Sequence, residues 1–464
     1  MKLSGKIKKI YIYIRLYNTM AGGLLQLLVR GPQDIFLIED PEISFFKTVY
    51  KKHTAFAIET KEQYFNSVNF GTKSTSLIAK DGDLISNISV RISLPSLNAN
   101  NVNLHNIKKH ECVKETDIGC FCEKCSKKTT DTIFGWANSI GHLLIEYVEL
   151  EIGGFIIDKR YGEWFEIWSE ISQTAEKKPG YAEMVGKRDP VSFKPNTFSD
   201  SLELIVPLDF YFTKNIGLAL PLVALYKNEI YVNIKWRDFN DCWICNKSNT
   251  RPNIIPKLSA LLYVDYVFLE LWEREKFVSE NHLYLIEQVQ FNNSIFASKN
   301  SSTVLVDLNF SHPTKELIWV LQRTDVGDRS LDNDIDFSYG NDWFNYSCFK
   351  SRLKNLIKDP FDSGYLLFNG QPRMNPLSSI YYRLYQTYQY HTKTPSNYIY
   401  VYSFAYKPED YQPTGQCNMS ALDKVKLNLK LAQNIKSDLY IKVYALSYNF
   451  VLIIDGMIAL AFQM

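Results

Sequence analysis

The chain has 464 residues, enough for two or three domains each with its own core. Aromatics make up 14% of it, with 30 Tyr and 28 Phe, which suits half-buried pleated surfaces and indicates a β-rich protein. A formal net charge of +2 argues against a general duplex-DNA binder, which needs a clustered basic surface.

Residues 1–19 are basic and of low complexity, and Met20 opens a different pattern. We read 1–19 as a translated leader or a disordered arm, with Met20 as the natural start, and 20–53 as an N-terminal arm. The run Ile10–Ile14 is interrupted by Tyr and followed by Arg15, without a small-residue cleavage site, so no secretory signal is expected. Thiols are therefore expected to be reduced, as in the cytosol. Lys51-Lys52-His53 reads first as a solvated basic turn.

From Thr54 the short strand patterns run in one order twice, and we letter them B to I. In residues 54–271, B is Ala57–Phe65, C is Lys73–Ala79 and D is Leu84–Leu94, with Asp81-Gly82 as the C–D turn. E and F form a hairpin about Gly153-Gly154. An amphipathic helix follows over Tyr161–Ile171, then G at Leu202–Phe210, H at Glu229–Trp236 and I at Leu261–Leu271. A charged linker helix spans 272–283.

In residues 284–464 the order returns: B at Leu285–Phe291, C at Thr303–Phe310, D at Leu317–Gln322, and an Asn369-Gly370 hairpin for E and F. An aromatic stretch Tyr381–Tyr390 stands where the earlier helix stood. G is Tyr398–Tyr406, H is Lys424–Leu431 and I is Leu439–Tyr448. The apolar segment Phe450–Phe462 is too short to span a bilayer and holds Asp455, so it reads as a buried final strand. The fold class is all-β: two tandem eight-stranded jelly-roll sandwiches with short helices in loops. The alternative is one larger unrelated all-β fold. The long connections, D–E (96–140, 324–363), F–G (162–201, 375–397) and the first H–I (240–256), fall mainly at one end, where function is expected.

Two CxxC pairs, Cys122/Cys125 and Cys242/Cys245, lie in the first D–E and H–I loops. Both loops emerge at the same end, so the pairs can converge as a four-cysteine structural zinc site. Cys112, Cys120 and His110 are reserve ligands. Free thiols and late-formed disulfides are the competing readings.

No HExxH, P-loop, Gly-x-Ser-x-Gly or dinucleotide fingerprint is present, so no enzyme and no catalytic cofactor is expected. Glu163, Glu166 and Glu170 sit at helical spacing and read as a solvated helix face, with Trp164 and Trp168 as core. His53, His142, His312 and His391 lack an evident partner set and read as packing or surface residues.

Met20–Leu27, Gln33–Leu37, Ile43–Ala57, Gly141–Gly154, Tyr161–Trp164, Leu218–Leu225, Glu316–Val320 and Tyr400–Ala405 with Gln412–Asn418 together resemble the major capsid proteins of nucleocytoplasmic large DNA viruses, closest to the giant-virus branch. The resemblance runs in order from Met20 nearly to the end. It implies a double jelly roll that forms homotrimers, pseudo-hexagonal tiles of an icosahedral shell, assembled in the host cytoplasm and residing in the virion. It also implies neighbouring capsomers and minor capsid proteins as partners. The arm could touch these or an internal membrane, and no specific nucleic acid is expected. The family pattern does not require the cysteines, which points to a subgroup or a specialised paralogue. Two other readings stay open: a low-copy vertex or fibre-anchoring paralogue, and a glycan- or receptor-binding β-sandwich protein.

Overall fold

The computed structural model describes residues 38–97, 134–188, 201–245, 255–327, 340–348, 358–433 and 435–462. The chain divides into two compact units, Met1–Thr54 and Ala55–Met464. In the first, residues 41–54 form only turns, bends and irregular chain. The second unit contains every strand described.

The strands of its first half are β1 (Phe56–Tyr64), β2 (Lys73–Leu77), β3 (Leu84–Leu94), β4 (Phe134–Trp136), β5 (Ile145–Ile152), β6 (Phe155–Tyr161), β7 (Leu202–Pro207), β8 (Leu220–Pro221), β9 (Ile230–Trp236), β10 (Trp243–Cys245) and β11 (Ser259–Leu269). They form antiparallel sheets in the orders β1-β11-β3-β7 and β2-β9-β5-β6. In the lettering above these are B-I-D-G and C-H-E-F. Alternation does the sorting: Ile88, Val90 and Ile92 of one sheet and Val148, Leu150, Val232 and Ile234 of the other share a single core.

The second half contributes β12 (His282–Ala297), β13 (Thr303–Leu308), β14 (Pro313–Arg323), β15 (Phe361–Phe368), β16 (Gln371–Pro372), β17 (Leu377–Ser378), β18 (Tyr400–Ser403), β19 (Cys417–Asn418), β20 (Val425–Leu431), β21 (Leu439–Ile454) and β22 (Met457–Leu460). The sheet orders repeat as β12-β21-β14-β18 and β13-β20-β15-β16. Leu317, Trp319, Leu321, Val443 and Ala445 face Val306, Leu427 and Leu429 across this core. A helix at Leu271–Ser279, with none of its residues buried, joins the halves.

Three details depart from the sequence-based expectation. The F strand of the second sandwich shrinks to Gln371–Pro372, with Leu377–Ser378 also pairing to β15. Pro372 and Pro376 lack amide donors and cannot extend the ladder. Strand β12 runs on both sides of its expected bounds, and β21 continues to Ile454. Last, Phe450–Phe462 is not one strand. Asp455 and Gly456 take φ of 50° and 83° and turn β21 into β22, as Gly153-Gly154 and Asn369-Gly370 do in their hairpins.

Candidate assembly surfaces

The two sandwiches meet along a seam organised by one helix, Gly162–Ser172, here the glutamate helix. It was expected to expose a row of carboxylates. Instead Glu166 and Glu170 are each 1% exposed and Glu163 is nearly buried. Glu163 accepts hydrogen bonds from Tyr346 Oη (3.1 Å), Lys442 Nζ (2.9 Å) and Tyr444 Oη (2.8 Å), all from the second sandwich. Glu170 binds Lys187 within the first sandwich and reaches Lys393 (3.3 Å) and Ser396 Oγ (2.8 Å) in the second. Glu166 lies 2.8 Å from His142 Nδ1 and 2.6 Å from Lys187 Nζ. Burial alone would raise its pKa, but Lys187 and His142 outweigh burial and hold it at about 2. Lys187 is held above the ordinary lysine range, since its two carboxylates overcome the desolvation that would lower it.

Aromatic packing fills the gaps between these charges. Tyr444 lies 4.8 Å from Phe291 and 5.7 Å from Trp164, centroid to centroid, and Trp164 stacks on Trp168 at 5.5 Å. The Trp residues are thus seam core, as their spacing suggested.

Two of the histidines have carboxylate partners, contrary to expectation. His142 is held between Glu166 and the Tyr181 hydroxyl (2.9 Å). His391 lies 2.9 Å from Glu409 Oε1 through Nδ1. Its Nε2 is 3.0 Å from Glu316 Oε2, a charge contact off the hydrogen-bonding direction. Burial would lower the His391 pKa, yet Glu316 and Glu409 raise it to about 9. Nearby, Glu287 carries Lys214 (3.1 Å) and the fully buried Lys315, again one lysine from each half. A cavity at this point, lined by Tyr211, Lys214, Leu218, Glu287, Glu409 and Tyr411, measures about 80 Å³, room for a few waters. These partners were missed because carboxylates and histidines tens of positions apart, on separate elements, leave no local pattern. The Glu spacing alone was a usable signal.

The loops at the end of the sandwiches also interlock. Strand β10, in the first H–I loop, pairs with β4 at the end of the first D–E segment, joining Cys245 to Phe134 in register. Asn341 of the second D–E segment donates to the carbonyls of Asn240 (2.8 Å) and Trp243 (2.7 Å), and Trp343 Nε1 to that of Asp241 (3.0 Å).

Of the proposed zinc ligands, Cys122 and Cys125 lie outside the described residues, as do Cys112, Cys120 and His110. Cys245 closes β10. Cys242 is fully buried, with Sγ 3.3 Å from the Asp238 carbonyl, and burial pushes its thiol pKa far up. Among the described residues no group of three or more His, Cys, Asp or Glu side chains is arranged to hold a metal.

A tandem jelly roll with matched sheets, fused along a buried seam, defines a double jelly-roll structural protein. The model of the major capsid protein N-terminus matches residues 44–270, and that of the large eukaryotic DNA virus major capsid protein matches 273–459. The major capsid protein of Pyramimonas orientalis virus is 35% identical, with 96% of this chain and all of that protein covered. That of Paramecium bursaria Chlorella virus 1 is 32% identical, covering 88% and 87%. Among solved structures, the quasi-atomic model of the PBCV-1 virus capsid superposes with a TM-score of 0.72 at 26% identity, over 91% of this chain and all of that one. The Faustovirus major capsid protein shares the fold, with a TM-score of 0.68 at 13% identity over 92% and 95%. The chain belongs to the major capsid protein family of large eukaryotic DNA viruses: it is a capsid protein of the virion.

Proposed function

We propose that the chain is the bulk tile of its shell, closing as a homotrimer of pseudo-hexagonal outline and working by assembly and not catalysis. The observation that carries this reading is the repeated sheet order, B-I-D-G against C-H-E-F, twice in one fused unit. Two similar units per chain let three chains fill a six-sided site. Native mass measurement tests it: a stable trimer is expected, and a strict monomer at micromolar concentration overturns it. Copy number in purified virions separates the bulk tile from a low-copy vertex paralogue. In this reading the jelly rolls are 54–271 and 284–464. The arm 20–53 then meets minor capsid proteins or an internal membrane through Lys51-Lys52-His53.

Structural zinc at Cys122, Cys125, Cys242 and Cys245 is a second proposal. The β4–β10 pairing supports it, since it joins the two cysteine-bearing segments at backbone level. Buried Cys242 must turn outward and ionise to take part, a cost that zinc–thiolate bonding would have to offset. Metal analysis should find one zinc per chain that is lost in Cys122→Ser. Metal-free protein of unchanged stability in both forms would end the idea.

A further inference from the structure

Strand β18 ends at Ser403, and residues 404–416 leave it as a strap over the seam. The strap has few apolar anchors: Ala405 and Pro408 are buried, while Tyr406, Lys407 and residues 410–413 are exposed. Polar contacts hold it instead. The amides of Phe404 and Ala405 donate to the Lys315 carbonyl (2.8 and 3.2 Å), and Tyr406 and Lys407 close a turn on Thr414. Glu409 fixes the middle. It accepts from the Thr392 amide (2.9 Å) and hydroxyl and lies against His391 Nδ1. Lys315 Nζ donates to the Asp410 carbonyl (3.2 Å). Glu409 and Tyr411 thereby line the seam cavity together with Tyr211, Lys214 and Leu218 of the first sandwich.

His391 decides whether Glu409 stays in place. Two carboxylates from different elements share its ring, Glu316 of β14 at Nε2 and Glu409 of the strap at Nδ1. Trp168 of the glutamate helix meets the ring edge-on at 6.3 Å, and Lys214 Nζ lies 4.6 Å from a Trp168 ring centroid. Tyr448 of β21 faces Glu287 and Glu316, and its hydroxyl keeps its proton because burial and both carboxylates raise its pKa. Lys214 and Lys315 are taken up by Glu287, so the imidazolium is the cation in contact with Glu316 and Glu409.

Glu316 is fully buried, and among the described residues its oxygens accept no hydrogen bond, so it depends on that positive charge. A neutral imidazole carries one N–H and no charge, and can donate to only one of the two carboxylates. Glu316 is fixed in its sheet by pairing to Ser403 and Leu446. Glu409 can swing out to water with the strap.

We propose that residues 404–416 form an alkali-opened strap: loss of the His391 proton to solvent releases Glu409, withdraws Tyr411 from the cavity and admits water to the Glu287–Lys214 contact between the sandwiches. Burial would lower the His391 pKa, but Glu316 and Glu409 raise it to about 9, which places the opening in mildly alkaline solution. The joint between the sandwiches is thus locked at neutral pH and loosened above it, with both apolar cores unchanged. The device does not depend on the number of chains in the capsomer.

Hydrogen exchange of the full-length chain at pH 7 and pH 10, on either side of the His391 value, tests it. Exchange is read as protection factors, so that its intrinsic pH dependence cancels. Protection of fragments covering Thr392 and residues 406–410 should fall about tenfold or more between the two conditions, as linkage to a raised histidine requires. Strands β5 and β14 should stay protected. In His391→Gln the strap should be less protected at pH 7 and show no further fall at pH 10. Glu409→Gln, a change at a partly exposed loop residue, should also abolish the pH dependence. Wild-type protection that is the same at both pH values, or a fall that survives in both variants, would overturn the proposal. So would a loss of protection at β5 and β14 together with the strap, since that is general unfolding.

Discussion

At the residue scale, the seam is held by charges largely shielded from water. Lys187 serves Glu166 and Glu170 together, and both carboxylates are almost fully buried. Replacing it by Met keeps the stem and removes the charge. Breaking a buried pair from one side costs about 3–5 kcal/mol, because the abandoned carboxylate stays desolvated. Lys187→Met should therefore lower the urea midpoint well beyond what an exposed Lys→Met change such as Lys407→Met produces. An equal, small effect would show that water enters the seam. The same charges set the pH response. His391 is raised to about 9, so its contribution is full below its free value near 6.5 and is lost as pH rises through 9. Glu166 is lowered to about 2, so its contribution is full above its free value of 4.5 and is lost as pH falls toward 2. The urea midpoint should fall between pH 6.5 and 9. In His391→Gln, which starts less stable, that part of the fall should disappear; the same alkaline slope in both proteins would assign it elsewhere.

At the element scale, what reaches a strand from its own residues was legible, and what reaches it from the other sandwich was not. Leu84–Leu94 follows from the alternation Ile88, Val90, Ile92 on one buried face, and its bounds match. Strands β12 and β21 run past their expected ends where His282–Ile286 pair with Asn449–Ile453, alongside the seam. There Ile286, Val451 and Ile453 are buried by distant residues that leave no periodic mark. The Asp455-Gly456 turn was legible and overlooked, because the apolar run around it suggested one continuous strand. The helix after β6 was expected, but its entry point is stricter than its amphipathic pattern implies. A Cβ on Gly162 would lie 2.0 Å from the Ile145 carbonyl oxygen and 2.2 Å from that of His142. These are backbone atoms of the neighbouring chain segment and cannot swing aside. Gly162→Ala should thus shift the glutamate helix and destabilise by more than the roughly 1 kcal/mol typical of a substitution. Gly154→Ala, at a hairpin tip with open space around it, provides the comparison for strain at positive φ alone. If thermal unfolding ranks Gly154→Ala as the more damaging, the close approach at Gly162 is not what holds the helix.

At the scale of the whole molecule, the repeated order of strands suggested two sandwiches joined by a linker, whereas the apolar core runs through the joint. The cluster containing Ile88, Val148 and Val232 of the first sandwich also takes in Ile286, Val289, Ile318, Val320, Tyr444, Leu446, Val451 and Ile453 of the second. Each such side chain contributes about 1.5–3 kcal/mol by leaving water, and in the second sandwich that gain is made against residues of the first. On this packing the second half should not fold as an independent unit. Its inner core, around Trp319 and Phe361, is separate, but one whole sheet face would be left apolar and wet. Calorimetry of residues 55–464 should show one cooperative transition for both halves, and residues 280–464 produced alone should bind hydrophobic dyes strongly and aggregate. Two well-separated transitions, or a soluble and monomeric second half, would mean that the seam is a contact between finished domains. In that case the charges on the glutamate helix would fix orientation alone. A shared core instead makes the angle between the sandwiches a property of the fold, which a tile needs if identical copies are to close on one another without adjustment.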